Sequence, residues 1–322
     1  VRPGDVTNTI AIDRYFRTPY VQTWNFSLQH DLPRGLFTEI SYLGTKGTRL
    51  DVQTTPNSLG QQTGGSRNQV GSATGFVYDS SNGNSILHSF SSRVTQRFRR
   101  GVAFGATYRW SKSIDNSSTF GGAGNTVAQN WLDLSAERGL SSFNRAHVFD
   151  TNWLLTSPIG SRATRGAPGG VLTRALREWT LSGSLAAQTG TPLTARVLGN
   201  GTQLAQTSGT GSRRADATGL AVTSGGGFFN PAAFAVPANG ALGNAGRNTI
   251  TGPGSLVVNM SFGRSFALGE TRRRLELRME ANNVLNQTNF SNVSTVLNSI
   301  NYGAPTAAAL MRQMTAVLRY RF

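Results

Sequence analysis

An all-β chain of antiparallel strands is what this sequence predicts, on three observations. Apolar and polar side chains alternate along segments of about ten residues, the period of a strand with two unlike faces. Between those segments, short turns and long loops rich in Gly, Ser and Asn alternate from one end of the chain to the other. And with 38 glycines and only 38% hydrophobic residues in 322, the chain lacks the Leu-rich faces of packed helices.

The elements follow in order. From Val1 to about Pro19 there is no clear period, and this stretch is expected to be the tail of a connection. Trp24, Phe26 and Leu28 then alternate with Thr23, Asn25, Ser27 and Gln29; Pro33-Arg34-Gly35 makes a tight turn; and Ile40 and Tyr42 return against Glu39 and Ser41. A long polar loop is expected from about Asp51 to Asn84. The unit repeats with Ile86, Phe90, Val94 and Phe98, a turn at Arg99-Arg100-Gly101, and a return through Val102, Phe104, Ala106, Tyr108 and Trp110 against Gly105, Thr107 and Arg109. A second polar loop covers Ser113 to Ser142. The third pair takes Phe149, Trp153 and Leu155, then Trp179, Leu181 and Leu185, across a basic connection. The longest loop, from about Leu198 to Pro253, carries Gly225-Gly226-Gly227 and the cluster Phe228, Phe229 and Phe234. In the fourth pair Leu256, Val258, Met260 and Phe262 turn near Gly269 and return as Leu275, Leu277, Met279 and Ala281. The last strand presents Met314, Ala316, Leu318, Tyr320 and Phe322 on one side and Gln313, Thr315, Arg319 and Arg321 on the other.

The terminal strand alone would also suit the edge of a soluble β-sandwich. A sandwich, however, has no reason to keep all its long connections on one side, whereas a transmembrane β-barrel has short turns at one rim and long loops at the other. Aromatics agree: Tyr108 and Trp110 fall toward the loop end of their strand, Phe98, Trp179, Tyr320 and Phe322 toward the turn end, and with Trp24 and Trp153 they read as interfacial girdles facing outer-membrane lipid. No window approaches the roughly 18 consecutive apolar residues of a membrane helix. The net charge of +16 is almost all arginine, Lys46 and Lys112 being the lysines, and it is spread over the turn rim and the polar face. That spread does not resemble a groove-reading patch, so nucleic acid is not an expected partner.

About nine strands are counted, and first and last both run toward the turn rim. An odd count cannot close with both ends on one rim, and an open edge in lipid costs several kcal/mol per unpaired backbone group. The expectation is therefore the C-terminal portion of a larger barrel, residues 1–322 forming a single partial barrel domain whose earlier strands precede Val1. The non-Met start fits.

Further residues carry a resemblance. Pro19-Tyr20-Val21-Gln22-Thr23-Trp24-Asn25-Phe26-Ser27-Leu28-Gln29 with Tyr42-Leu43-Gly44-Thr45-Lys46-Gly47-Thr48, Ser142-Phe143-Asn144-Arg145-Ala146-His147-Val148-Phe149, Glu280-Ala281-Asn282-Asn283-Val284-Leu285-Asn286-Gln287-Thr288-Asn289-Phe290, and the closing strand to Phe322 resemble the barrel of Oar-like TonB-dependent outer-membrane receptors. Ala146 departs from the family, which more often has a basic residue there. The resemblance implies a barrel of about 22 strands in the cell outer membrane of a Gram-negative type bacterium, plugged by an N-terminal domain that meets the TonB complex and is absent here. It implies uptake of a scarce, bulky solute. The alternative is a structural or adhesive barrel that displays loops and transports nothing. The terminal pattern of Met314, Ala316, Leu318, Tyr320 and Phe322 resembles the signal read by the barrel-assembly machinery.

Chemistry is sparse. There is no cysteine, and His30, His88 and His147 are isolated in sequence. The runs Gly121–Asn125 and Gly243–Gly246 neither follow a parallel strand nor open a helix, as a phosphate cradle requires. Glu276 and Glu280, with Arg278 between, read as a charge ladder. No nucleophile elbow, zinc spacing or paired acid is visible, so no enzyme activity and no cofactor or metal are expected. Asn282, Asn283, Asn286 and Asn289 are expected to satisfy local backbone groups. Phe228, Phe229 and Phe234 are the candidate ligand-contacting loop residues, with packing of the loop as the competing role.

Overall fold

The computed structural model describes residues 10–54, 77–118, 133–157, 178–198, 212–223, 227–238, 241–267 and 273–322. Nine long strands follow one another: β1 (Tyr20–Leu32), β2 (Leu36–Thr54), β3 (Val77–Arg99), β4 (Val102–Asp115), β5 (His147–Thr156), β6 (Trp179–Gln188), β7 (Ser255–Ala267), β8 (Arg274–Asn282) and β9 (Gln313–Arg321). Each pairs with its sequence neighbours, so the spatial order is the chain order, and every one of these pairings is antiparallel. Among the described residues β1 pairs only with β2 and β9 only with β8, which leaves two free edges.

Turn chemistry sets the hairpins. Arg100 (φ 51°) and Gly101 (φ 85°) join β3 to β4 while Arg99 opposes Val102. Two successive positive φ values make the turn whose twist matches the strands it joins. Arg34 (φ 73°) and Gly35 (φ 80°) serve β1 and β2 in the same way. The third and fourth turns, with Arg162, Arg165, Arg174, Arg177 and Gly269, lie outside the described residues.

Register produces one continuous apolar face. Phe26 opposes Tyr42 and Tyr42 opposes Phe90; Phe90 opposes Trp110, and Phe104 opposes Trp153. The row continues as Leu181 to Phe262, Phe262 to Met279, and Met279 to Ala316. Phe26 (66%), Phe262 (44%) and Met279 (48%) in this row stay exposed, while Tyr42, Phe104, Trp153 and Leu181 are half-buried by their neighbours. A soluble sandwich would bury such a face, whereas a lipid-facing wall leaves it open. The other face carries Ser41, Ser91, Arg93, Thr107, Asp150, Asn152, Ser184, Ser261 and Glu280.

Two loop expectations are corrected. Strand β2 continues to Thr54 and β3 begins at Val77, at 19 and 23 residues, so the described ends of the expected Asp51–Asn84 loop, 51–54 and 77–84, are sheet. At about 3.3 Å per residue, 23 residues span about 75 Å, far more than the ~25 Å apolar band of a barrel wall. The excess therefore stands in water, where neither face needs apolar side chains and the hydrophobic period vanishes. Two register shifts near Arg49 and Asp51 bend this extension, and Gly83 is required because a Cβ there would meet the Leu50 carbonyl oxygen at 2.6 Å. Within the expected unpatterned opening, Ile10–Ile12 adds a short parallel strand alongside Val77–Asp79.

The second correction concerns the loop from Leu198 to Pro253. Its described parts fold into small two-stranded pieces, Arg196–Leu198 with Ser212–Arg214, Asp216–Ala217 with Phe234–Ala235, and Ile250–Thr251 with Pro192–Leu193. Leu193, Ala195, Ala215, Phe229, Phe234, Ala245, Ile250 and Val293 form their buried core. Apolar residues scattered without period gather there by tertiary packing, which periodicity does not reveal.

Candidate functional site

Two buried ion pairs fasten the loop layer, one of them to the end of a strand. Arg247 lies 2.6 Å from the Asp115 carboxylate, and Arg214 lies 3.4 Å from Glu137; all four side chains are at most 3% exposed. Asp115 ends β4, Glu137 closes the short 3₁₀ turn Leu134–Glu137, and Arg247 comes from the long loop before β7. Arg247 donates from Nε to the Glu137 carbonyl at 2.6 Å and from one terminal nitrogen to Ser118 Oγ at 2.8 Å. Its other terminal nitrogen reaches both the carboxylate and the carbonyl of Asp115. A planar guanidinium with five donors is the side chain that can tie three separate segments at once. Asn248 adds a donor to the Leu140 carbonyl at 2.6 Å and accepts from Thr194 Oγ1 at 2.8 Å.

Below this layer, the polar face forms a wall of donors and acceptors. One hollow is lined by Arg93, Gly105, Thr107, Asp150, Asn152 and Ser184. Closer to the turn rim, Arg278 meets Glu280 at 3.2 Å and Arg319 meets Glu276 at 3.9 Å, the charge ladder expected of those carboxylates.

The asparagines spend their amides on backbone. Asn283 accepts from Gln287 N–H at 3.0 Å and donates to the Gln287 carbonyl at 2.9 Å, and Asn289 does the same with Leu256, at 2.7 and 2.9 Å. Of the loop aromatics, Phe229 (3% exposed) and Phe234 (7%) sit inside the loop-layer core, Phe229 edge-on to Tyr302 at 5.5 Å. Phe228 is half-buried and edge-on to Phe290 at 5.6 Å. The rings build the layer, and Phe228 alone keeps partial access to its surface.

The predicted aromatics stand on the apolar face. Trp24 covers Gly44 and Trp153 covers Gly183: a Cβ at either glycine would fall within 2.5 Å of the indole. Toward the loop end, Tyr108 is hydrogen-bonded to His147 at 2.8 Å and Tyr42 to His88 at 2.7 Å, a pairing repeated on adjacent hairpins that sequence spacing does not announce. Trp110 is 57% exposed and Phe98 59%. Trp179 stacks on Phe262 at 4.3 Å near the turn rim. On β9, Met314, Ala316, Leu318 and Tyr320 oppose Ala281, Met279, Leu277 and Leu275, and Phe322 projects beyond the strand, 96% exposed.

Comparison with known proteins agrees with this architecture. The model of a family described as "Outer membrane beta barrel domain" matches residues 2–315. Among solved structures, the outer membrane transporter YddB from Escherichia coli is similar with a TM-score of 0.52 at 14% identity, over 98% of this chain and 34% of that one. FpvA of P. aeruginosa, solved bound to a pyoverdine and iron, is similar with a TM-score of 0.45 at 11% identity, over 94% of this chain and 27% of that one. The chain thus spans about a third of the length of the transporter it resembles. Among curated proteins none matches.

Proposed function

The chain belongs to the outer membrane beta barrel domain family, and on that basis we propose that it forms part of the barrel of a TonB-dependent receptor of the Oar-like type that takes up a bulky, scarce solute. Its location is the outer membrane, and its fold is an antiparallel all-β wall. The observation that carries the transport reading is the likeness in fold to an outer membrane transporter along 98% of the chain. The free edges of β1 and β9 support closure by further strands, since an open edge in lipid leaves backbone groups unpaired. In this reading the chain is not an enzyme. The polar wall lines the passage, the loop layer meets the solute first, and the TonB complex acts through a plug domain.

The test uses the complete protein and the soluble periplasmic domain of TonB. Binding measured by calorimetry is expected, and deletion of a short coupling segment ahead of the plug should abolish it. A complete polypeptide with no globular domain before the barrel, and no binding to TonB, overturns the proposal and leaves a barrel that only displays loops.

A further inference from the structure

Among the described residues the loop-side half of the apolar face shows no carboxylate on β1 to β5 and carries Lys46 and Lys112, the two lysines of the entire chain, with the Arg49 guanidinium beside them over Tyr20. Register places both on that face: Lys46 opposes Gln22 and Ile86, and Lys112 opposes His88. From strand spacing of about 4.8 Å and about 3.3 Å per residue, their Cα atoms, two strands and two residues apart, are separated by about 12 Å. His88 lies between them, held by Tyr42. Just nearer mid-membrane come Trp24, Phe26, Tyr42, Phe90 and Trp110, exposed or half-buried. Neither lysine forms an ion pair with a described residue, whereas the neighbouring Arg49 lies over the Tyr20 ring at 5.7 Å.

Two ammonium groups above an aromatic floor, with no local anion to neutralise them, form a site lacking its counter-charge. We infer that Lys46 and Lys112 hold the phosphorylated headgroup of a glycolipid in the loop-side leaflet, its acyl chains lying along Phe26, Tyr42 and Phe90. A compact ammonium suits a phosphate oxygen as a point charge, and a desolvated interface strengthens the attraction. The inference does not rest on the transport reading, only on which face meets lipid.

The experiment is native mass spectrometry of the complete protein in mild detergent, titrated with a bis-phosphorylated glycolipid, its dephosphorylated counterpart and phosphatidylglycerol. The wild type is expected to prefer the bis-phosphorylated lipid over both. The double variant Lys46→Ala/Lys112→Ala should bind it about thirtyfold more weakly, as for two basic residues acting at a membrane surface. Lys46→Arg/Lys112→Arg should retain binding, and Lys112→Gln alone should show an intermediate loss. Unchanged affinity in the double alanine variant with heat-modifiable mobility intact, or equal binding of the dephosphorylated lipid, overturns the assignment.

Discussion

Single side chains on the apolar face have assigned room. Trp24 lies across Gly44, where a Cβ would stand 2.1 Å from the indole, and Trp153 lies across Gly183, where the Asn259 carbonyl also closes to 2.7 Å. Gly44→Ala must therefore swing one ring aside, and Gly183→Ala must move both ring and backbone. The expected losses are about 1 to 3 kcal/mol, with Gly183→Ala the larger, read from urea titrations of the refolded complete protein and from shifted tryptophan emission. Facing is tested one strand away. Ala106→Arg puts a guanidinium into lipid and is expected to cost about 2 to 4 kcal/mol. Gly105→Arg enters the hollow lined by Asp150 and Asn152, where the nearest atom is the movable Asn152 amide oxygen at 2.9 Å, and should cost less. Equal losses in the two titrations would contradict the facing. A carboxyl in the extension is also specific: Asp79, hydrogen-bonded to Asp51 and further affected by burial, has its pKa raised to about 6. It binds its proton more tightly folded than unfolded, so its contribution is complete below the unfolded value of about 3.9 and is lost as pH rises through about 6. Amides of the β2–β3 extension should exchange faster at pH 7.5 than at pH 5 after correction for intrinsic rates, and Asp79→Asn should remove the difference.

The membrane-crossing elements were legible because one face of each touches lipid, and lipid demands an apolar residue at every second position. All eight hairpin strands and β9 follow from that period, as do the turns at Pro33-Arg34-Gly35 and Arg100-Gly101, where positive φ recruits Gly. Beyond the apolar band this demand ends. The run from Asp79 to Ser85 is sheet by backbone pairing to β2, with β4 joining only at Ser85, and no side-chain period betrays it. The loop layer was hidden for a different reason: Asp115, Glu137, Arg214 and Arg247 are ordinary surface residues by composition, and only tertiary structure brings them together. Arg247→Ala leaves the Asp115 carboxylate buried without its cation, and breaking such a pair costs about 3 to 5 kcal/mol. The expected result is faster hydrogen exchange at 115–118, 134–140 and 245–250 with β5 to β8 unchanged. Uniform loss of protection along the strands would show that the pair supports the wall instead of its cap.

At the scale of the whole molecule, the nine long antiparallel strands end on one whose outer edge is unpaired among the described residues, and that strand closes on Tyr320 and the exposed Phe322. Its terminal pattern resembles the signal read by the barrel-assembly machinery, and we propose that this edge is what that machinery engages. Deleting Tyr320 to Phe322 in the complete protein should lower the amount reaching the outer membrane severalfold, while the inserted fraction keeps its heat-modifiable mobility; normal insertion would leave β9 an ordinary amphipathic strand. The buried arginine fastening has its own consequence for the order of events. Arg247 and its partners at Asp115 and Glu137 are 132 and 110 residues apart in the chain, and they belong to the second hairpin and to the approach to the fourth. Closing so long a chain segment is entropically slow, and it must wait until both hairpins have delivered their loops across the membrane. The cap then locks only after those hairpins are in place, so resistance of the surface loops to added protease becomes a clock for that stage of insertion.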